Sequence, residues 1–126
     1  MSERVKWISH KGEQILLSDY SGLDEGQYLA EMEETVAMLR SAVKEKPLYL
    51  LALTDLSNTV TTAKITEKSK ACTMMLKGVK ATTAIVGVTE TKKVIARIIS
   101  PDVRVFQNSE QAKDWLTAQA RSSKHS

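Results

Sequence analysis

The stretch Leu48 to Thr62, LYLLALTDLSNTVTT, constrains this chain more than any other. It opens as an apolar run of strand length and ends in Asp55 and a series of hydroxyls. An uninterrupted apolar strand must be covered on both faces, which is the situation of a parallel sheet beneath helices. The polar residues then fall just outside the strand's carboxyl end, where open α/β sheets place their sites. One segment therefore points both to an architecture and to a candidate loop.

The flanking segments supply what such a strand needs. Arg4 to His10 and Gln14 to Tyr20 read as short strands around Lys11-Gly12, an N-terminal β-hairpin. Asp24 is positioned to cap a helix over Glu25 to Lys44, with Gln27 completing a capping box. Tyr28, Leu29, Met32, Val36, Leu39 and Val43 form its apolar stripe. Acidic residues early and basic residues late suit the helix dipole, and Pro47 stops the helix before the strand.

Beyond the loop, Thr62 to Gly78 reads as a second helix, whose weaker apolar face is Ala63 or Ile65, Cys72, Met75, Leu76 and Val79. Thr82 to Val88 is a second buried strand, and Thr89 can cap a helix over Glu90 to Ile99. Val103 to Phe106 is a short last strand. Asn108 and Gln111 repeat the capping arrangement before a helix led by Trp115 and Leu116. The expected fold class is α/β: a single-layer mixed, largely parallel sheet of four to five strands with an N-terminal hairpin, packed by four helices. The 126 residues suit a single domain over 1–120, followed by a polar tail at 121–126 that frays.

The order of these segments is familiar. DYSGLDEGQYLAEMEE, the strand ending LLALTDLSN, ATTAIVGVTETKKVIARII and VFQNSEQAKDWL together resemble the SpoIIAA-like branch of the STAS superfamily, a group also placed with lipid-binding CRAL-TRIO folds. The likeness spans roughly Val5 to Leu116. It implies a sheet covered by helices, and a loop after the central strand in which anti-sigma-factor antagonists carry a phosphorylated serine. That loop corresponds to Asp55 through Thr62, but D-L-S-N-T-V-T-T-A lacks the Ser-Gly pair of the antagonist pattern D-S-[ST]-G-L.

Composition and motifs exclude several classes. The net charge of +3 arises from scattered lysines, so nucleic acid is not expected as a partner. The single cysteine, Cys72, excludes an internal disulfide. MSERVKWISHKGEQ has no apolar signal core, and no run reaches the roughly 20 apolar residues of a membrane span, so a cytoplasmic location is expected. No metal-ligand spacing, glycine-rich phosphate loop or nucleotide fingerprint is present, and no cofactor is expected. Nucleophilic catalysis needs a base held against the nucleophile, and the only histidines are His10, in the hairpin, and His125, in the tail.

The expected site is therefore a ligand or partner surface made of Asp55, Ser57, Asn58, Thr59, Thr61 and Thr62, with Thr89 on a second wall. The competing account is that these groups only satisfy turns and caps. The function expected is a non-catalytic STAS-like binding module that meets a protein partner near residues 55–62. The alternative is a carrier or sensor of a lipid or small anionic ligand. Met32, Met38, Met74 and Met75 could then line an adaptable groove.

Overall fold

The computed structural model describes residues 3–45, 49–60, 62–88 and 103–124. The chain begins with β1 (Val5–His10) and β2 (Glu13–Asp19), which pair antiparallel from Val5 opposite Ser18 to His10 opposite Glu13. Lys11 and Gly12 join them with φ of 50° and 84°. Positive φ at both central residues is the turn whose twist matches a right-twisted hairpin.

Helix α1 (Glu25–Lys44) starts on the expected capping box. Asp24 Oδ1 accepts from the Gln27 N–H at 2.8 Å, and the Asp24 N–H donates to Gln27 Oε1 at 3.1 Å. Then follow β3 (Leu50–Asp55), α2 (Ala63–Met75), β4 (Ala81–Val86), β5 (Arg104–Phe106) and α3 (Ser109–Lys124). The sheet order is β1-β2-β3-β4-β5, antiparallel at the hairpin and parallel throughout the remainder. The expected α/β class and mixed sheet are present, with three helices among the described residues. The fourth expected helix, Glu90 to Ile99, lies outside the described residues.

Alternation along each strand sorts side chains to two faces. Ile15, Leu51, Leu53, Ala84 and Val86 meet Ala112, Leu116 and Ala120 of α3. Small residues on both sides bring helix and sheet close, and Ala84, Ala112 and Leu116 are wholly inaccessible. Leu16 and Leu50 face the other way, toward Tyr28, Met32, Leu39 and Ala42 of α1 and Ile65 of α2. Helix α2 leans chiefly on α1, an arrangement that includes an ion pair between Lys68 and Glu33.

Several local readings shift. The buried stripe of α1 is Tyr28, Met32, Thr35, Leu39 and Ala42, so Val36 and Val43 are displaced to half-buried flanks. Thr35 takes the central place because its hydroxyl bonds to Ser18 and Tyr20, which offsets burying a polar group. Helix α2 ends at Met75, three residues before Gly78; Thr62 is its cap, accepting from the Ile65 N–H. Trp7 is exposed although it alternates with buried Val5, because β1 lies at the sheet's edge. Helix α3 continues to Lys124, past the expected start of the tail at 121, and Arg121 donates to the Lys11 carbonyl at 2.8 Å.

Candidate functional site

The loop after β3 is built by its own side chains. Asp55 Oδ1 accepts from the Ser57 N–H at 2.9 Å and from the Ser57 hydroxyl at 2.7 Å. Asn58 is left-handed at φ 55°, a conformation asparagine tolerates better than most residues. The Thr59 hydroxyl donates to the Leu56 carbonyl at 2.8 Å and is buried, while Thr62 caps α2. Asp55, Ser57, Thr59 and Thr62 thus make the turn-and-cap bonds that compete with a role in binding. Thr61 and Thr89, the remaining expected site residues, lie outside the described residues.

The same device occurs one strand away. Parallel pairing places Asp19 opposite Asp55. Asp19 Oδ1 accepts from the Ser21 N–H at 3.0 Å and from the Ser21 hydroxyl at 2.6 Å. The Tyr20 N–H donates to the Asp55 carbonyl at 3.0 Å and the Gly22 N–H to the Ser57 carbonyl at 2.9 Å, so the ladder runs on into both loops. The signal lies in the sequence, as D-Y-S-G at Asp19 and D-L-S-N at Asp55, but the first copy was not among the expected site residues. On the far side, Gly87 at φ 80° packs against Ser57. A Cβ there would lie 2.0 Å from Ser57 Oγ and 2.8 Å from its Cα. Glycine is required at that position on both counts.

Leu56, Thr59 and Val60 of this loop also form part of the wall of a half-open cavity of about 190 Å³ between the sheet and helices α1 and α2. Its floor is Leu16, Ser18, Ala52, Thr54, Thr83 and Ile85, all turned to one face of β2, β3 and β4. Helix α1 contributes Tyr28, Met32 and Thr35, and α2 contributes Thr66, Ser69 and Cys72. Two of its helical hydroxyls back-bond within α2: Ser69 donates to the Ile65 carbonyl at 2.9 Å and Thr73 to the Ser69 carbonyl at 3.1 Å. Such residues give α2 a polar inner face that does not close onto the sheet.

One end of the cavity is a buried hydroxyl cluster. Ser18 Oγ and Tyr20 Oη both bond to Thr35 Oγ1, and the Tyr20 ring stacks on Tyr28 with centroids 4.5 Å apart. Burial pushes the Tyr20 hydroxyl up to about 12, despite its bonds to Thr35 and Ser18. Burial raises Tyr28 further still. It also raises the Cys72 thiol, with Lys68 pulling weakly the other way. All three groups are held in their neutral forms, the opposite of an activated nucleophile.

The one described histidine is remote from this cavity. His10 Nε2 bonds to Asp114 Oδ1 at 2.8 Å across the hairpin end, where Lys11 joins the same carboxylate at 2.9 Å. These two partners hold the Asp114 carboxyl below its ordinary value. Among the described residues no cluster of His, Cys, Asp and Glu could hold a metal ion. No helix among them is long and apolar enough to cross a membrane. No protein-family model, curated protein or solved structure matches the chain.

Proposed function

We propose that this chain is a non-catalytic binding module whose ligand occupies the cavity between the sheet and helices α1 and α2. The cavity itself carries the reading: about 190 Å³ bounded by three strands, two helices and the Asp55 to Thr62 loop. A concave space lined mainly by apolar groups with a few polar ones is the usual form of a small-molecule site. This volume is below the roughly 300 Å³ at which drug-sized pockets begin. It exceeds the roughly 150 Å³ of an engineered cavity that takes up benzene. The ligand is accordingly a single ring or short chain, not an intact long-chain lipid. The neutral tyrosines and raised thiol support binding without chemistry.

The STAS-like order of segments belongs to the same reading, with the loop acting as one wall of the cavity. Native mass spectrometry of gently purified protein tests it. A small retained mass that disappears in Ala52→Leu, which fills the floor from β3, is the expected outcome. A chain that carries no bound molecule, yet captures a protein partner in a manner abolished by loop substitutions, overturns it. That outcome favours the second reading, a protein-docking loop, which rests on the exposure of Val60 (42 %) beside exposed Asn58.

A further inference from the structure

Four hydroxyls on residues lining the cavity differ from the rest. Ser18, Thr35 and Tyr20 satisfy one another, and Ser69 and Thr73 bond to carbonyls of their own helix. Thr54 on β3, Thr83 on β4, Thr66 on α2 and Tyr28 on α1 also line the cavity, and their hydroxyls make no hydrogen bond to another described residue. The three threonines lie on other elements than the stacked tyrosine pair. A hydroxyl is one donor and two acceptor sites, so the threonines among them offer a binding surface for a polar atom.

The lining is also uncharged: no Lys, Arg, His, Asp or Glu is among the described residues around the cavity. An ionised group moved into such a space loses its hydration with no opposite charge to compensate, whereas a neutral hydroxyl or carbonyl loses little if it finds a partner. The hydrophobic remainder of the wall, Leu16, Met32, Leu39, Ile85 and the stacked tyrosines, suits an apolar body.

We infer that the cavity selects a small neutral molecule, an apolar body bearing one hydrogen-bonding group such as an alcohol or carbonyl, whose polar atom is held by Thr54, Thr83 and Thr66. This rests on the cavity being the ligand site, and it narrows that site's chemistry. It disfavours small anions inside the cavity, unlike the small anionic ligand that formed part of the alternative reading of the sequence.

Three probes of one size test it: benzyl alcohol, toluene and benzoate at pH 7, each titrated into isotopically labelled protein while the amides of Ala52 to Thr54 and Thr83 to Ile85 are followed. Benzyl alcohol is expected to bind roughly twofold to tenfold tighter than toluene, the worth of one net hydrogen bond. It should exceed benzoate by about tenfold or more, reflecting the desolvated charge. Benzoate binding as tightly as benzyl alcohol overturns the neutral-ligand inference but leaves the cavity as a site. Failure of all three to move those amides overturns the cavity reading itself.

The double variant Thr54→Val, Thr83→Val assigns the hydroxyls. It should reduce benzyl alcohol to the affinity of toluene while leaving toluene unchanged. The pair Thr54→Ser, Thr83→Ser keeps the hydroxyls and should keep the preference, which controls for altered packing. A Val pair that retains full preference for benzyl alcohol overturns the assignment.

Discussion

The two faces of this sheet are made from the same strands and have opposite character. On one, Ala84, Val86, Leu51 and Leu53 pack against Ala112, Leu116 and Ala120, all of them buried. On the other, Ala52, Thr54 and Thr83 face an open cavity beneath α1 and α2. Alternation puts Ala84 and Thr83 on successive positions of β4, so the contrast is a matter of a single residue step. Small residues permit close packing only where the opposing helix also has small residues. Ala52 has no such partner, and its small size becomes room.

The largest effect should be on the closed face. Leu116→Ala is expected to cost about 3 to 5 kcal/mol, because neighbours already in contact cannot collapse into the space. Leu76→Ala, at the half-buried C-cap of α2 beside the cavity, should cost less than about 2 kcal/mol. Urea unfolding midpoints compare them, and equal costs would erase the distinction between faces. Next comes Gly87→Ala, at the end of β4. A positive φ and a Cβ meeting Ser57 backbone atoms together should cost about 2 to 3 kcal/mol in the same measurement.

A matched pair sharpens the comparison further. Ala84→Val overfills a closed space and should cost about 1 to 3 kcal/mol, whereas Ala52→Val extends into the cavity and should change stability by less than about 1 kcal/mol. Reversal of that order would mean that the cavity does not persist in solution.

The elements were legible from the sequence, and the cavity between them was not. The apolar run of β3, the Lys11-Gly12 turn and the Asp24 capping box are local patterns, written in residues a few positions apart. The cavity depends on where α2 stands relative to the sheet, which no periodicity within α2 reports. Thr35 shows the same limit. A threonine interrupting an apolar stripe looks like a fault until Ser18 and Tyr20 are seen to bond with it from a strand fifteen or more residues away. The turn roles of Asp55 and Ser57 were foreseeable as chemistry, but their pairing with Asp19 and Ser21 emerges only from the strand register.

The smaller predictions concern the hydroxyl cluster and the far end of the sheet. Burial holds the Tyr20 hydroxyl up at about 12 in the folded chain, above the 10.0 of an ordinary tyrosine. The neutral form is favoured by folding, so its contribution is complete below pH 10 and is lost as pH rises toward 12. Stability followed from pH 9 to 12 should fall, and Tyr20→Phe should lessen that fall while costing about 1 kcal/mol at neutral pH through the missing bond to Thr35. A fall of unchanged size in the variant would assign the alkaline loss to Tyr28. Smallest of all is Asp114→Asn, at an exposed carboxylate. Its lowered pKa gives a contribution present at neutral pH and lost as pH drops through that value, so acid titration of the variant should show a slightly flatter profile.

The ends of the sheet carry a consequence of another kind. Its margins are β1, which carries exposed Lys6, and β5, only three residues long. A strand from another chain that tried to extend the sheet would meet a lysine at one margin and too short a template at the other. Runaway edge-to-edge stacking is thereby discouraged. A chain that keeps unfilled space in its interior has correspondingly little invitation to self-assembly along its margins.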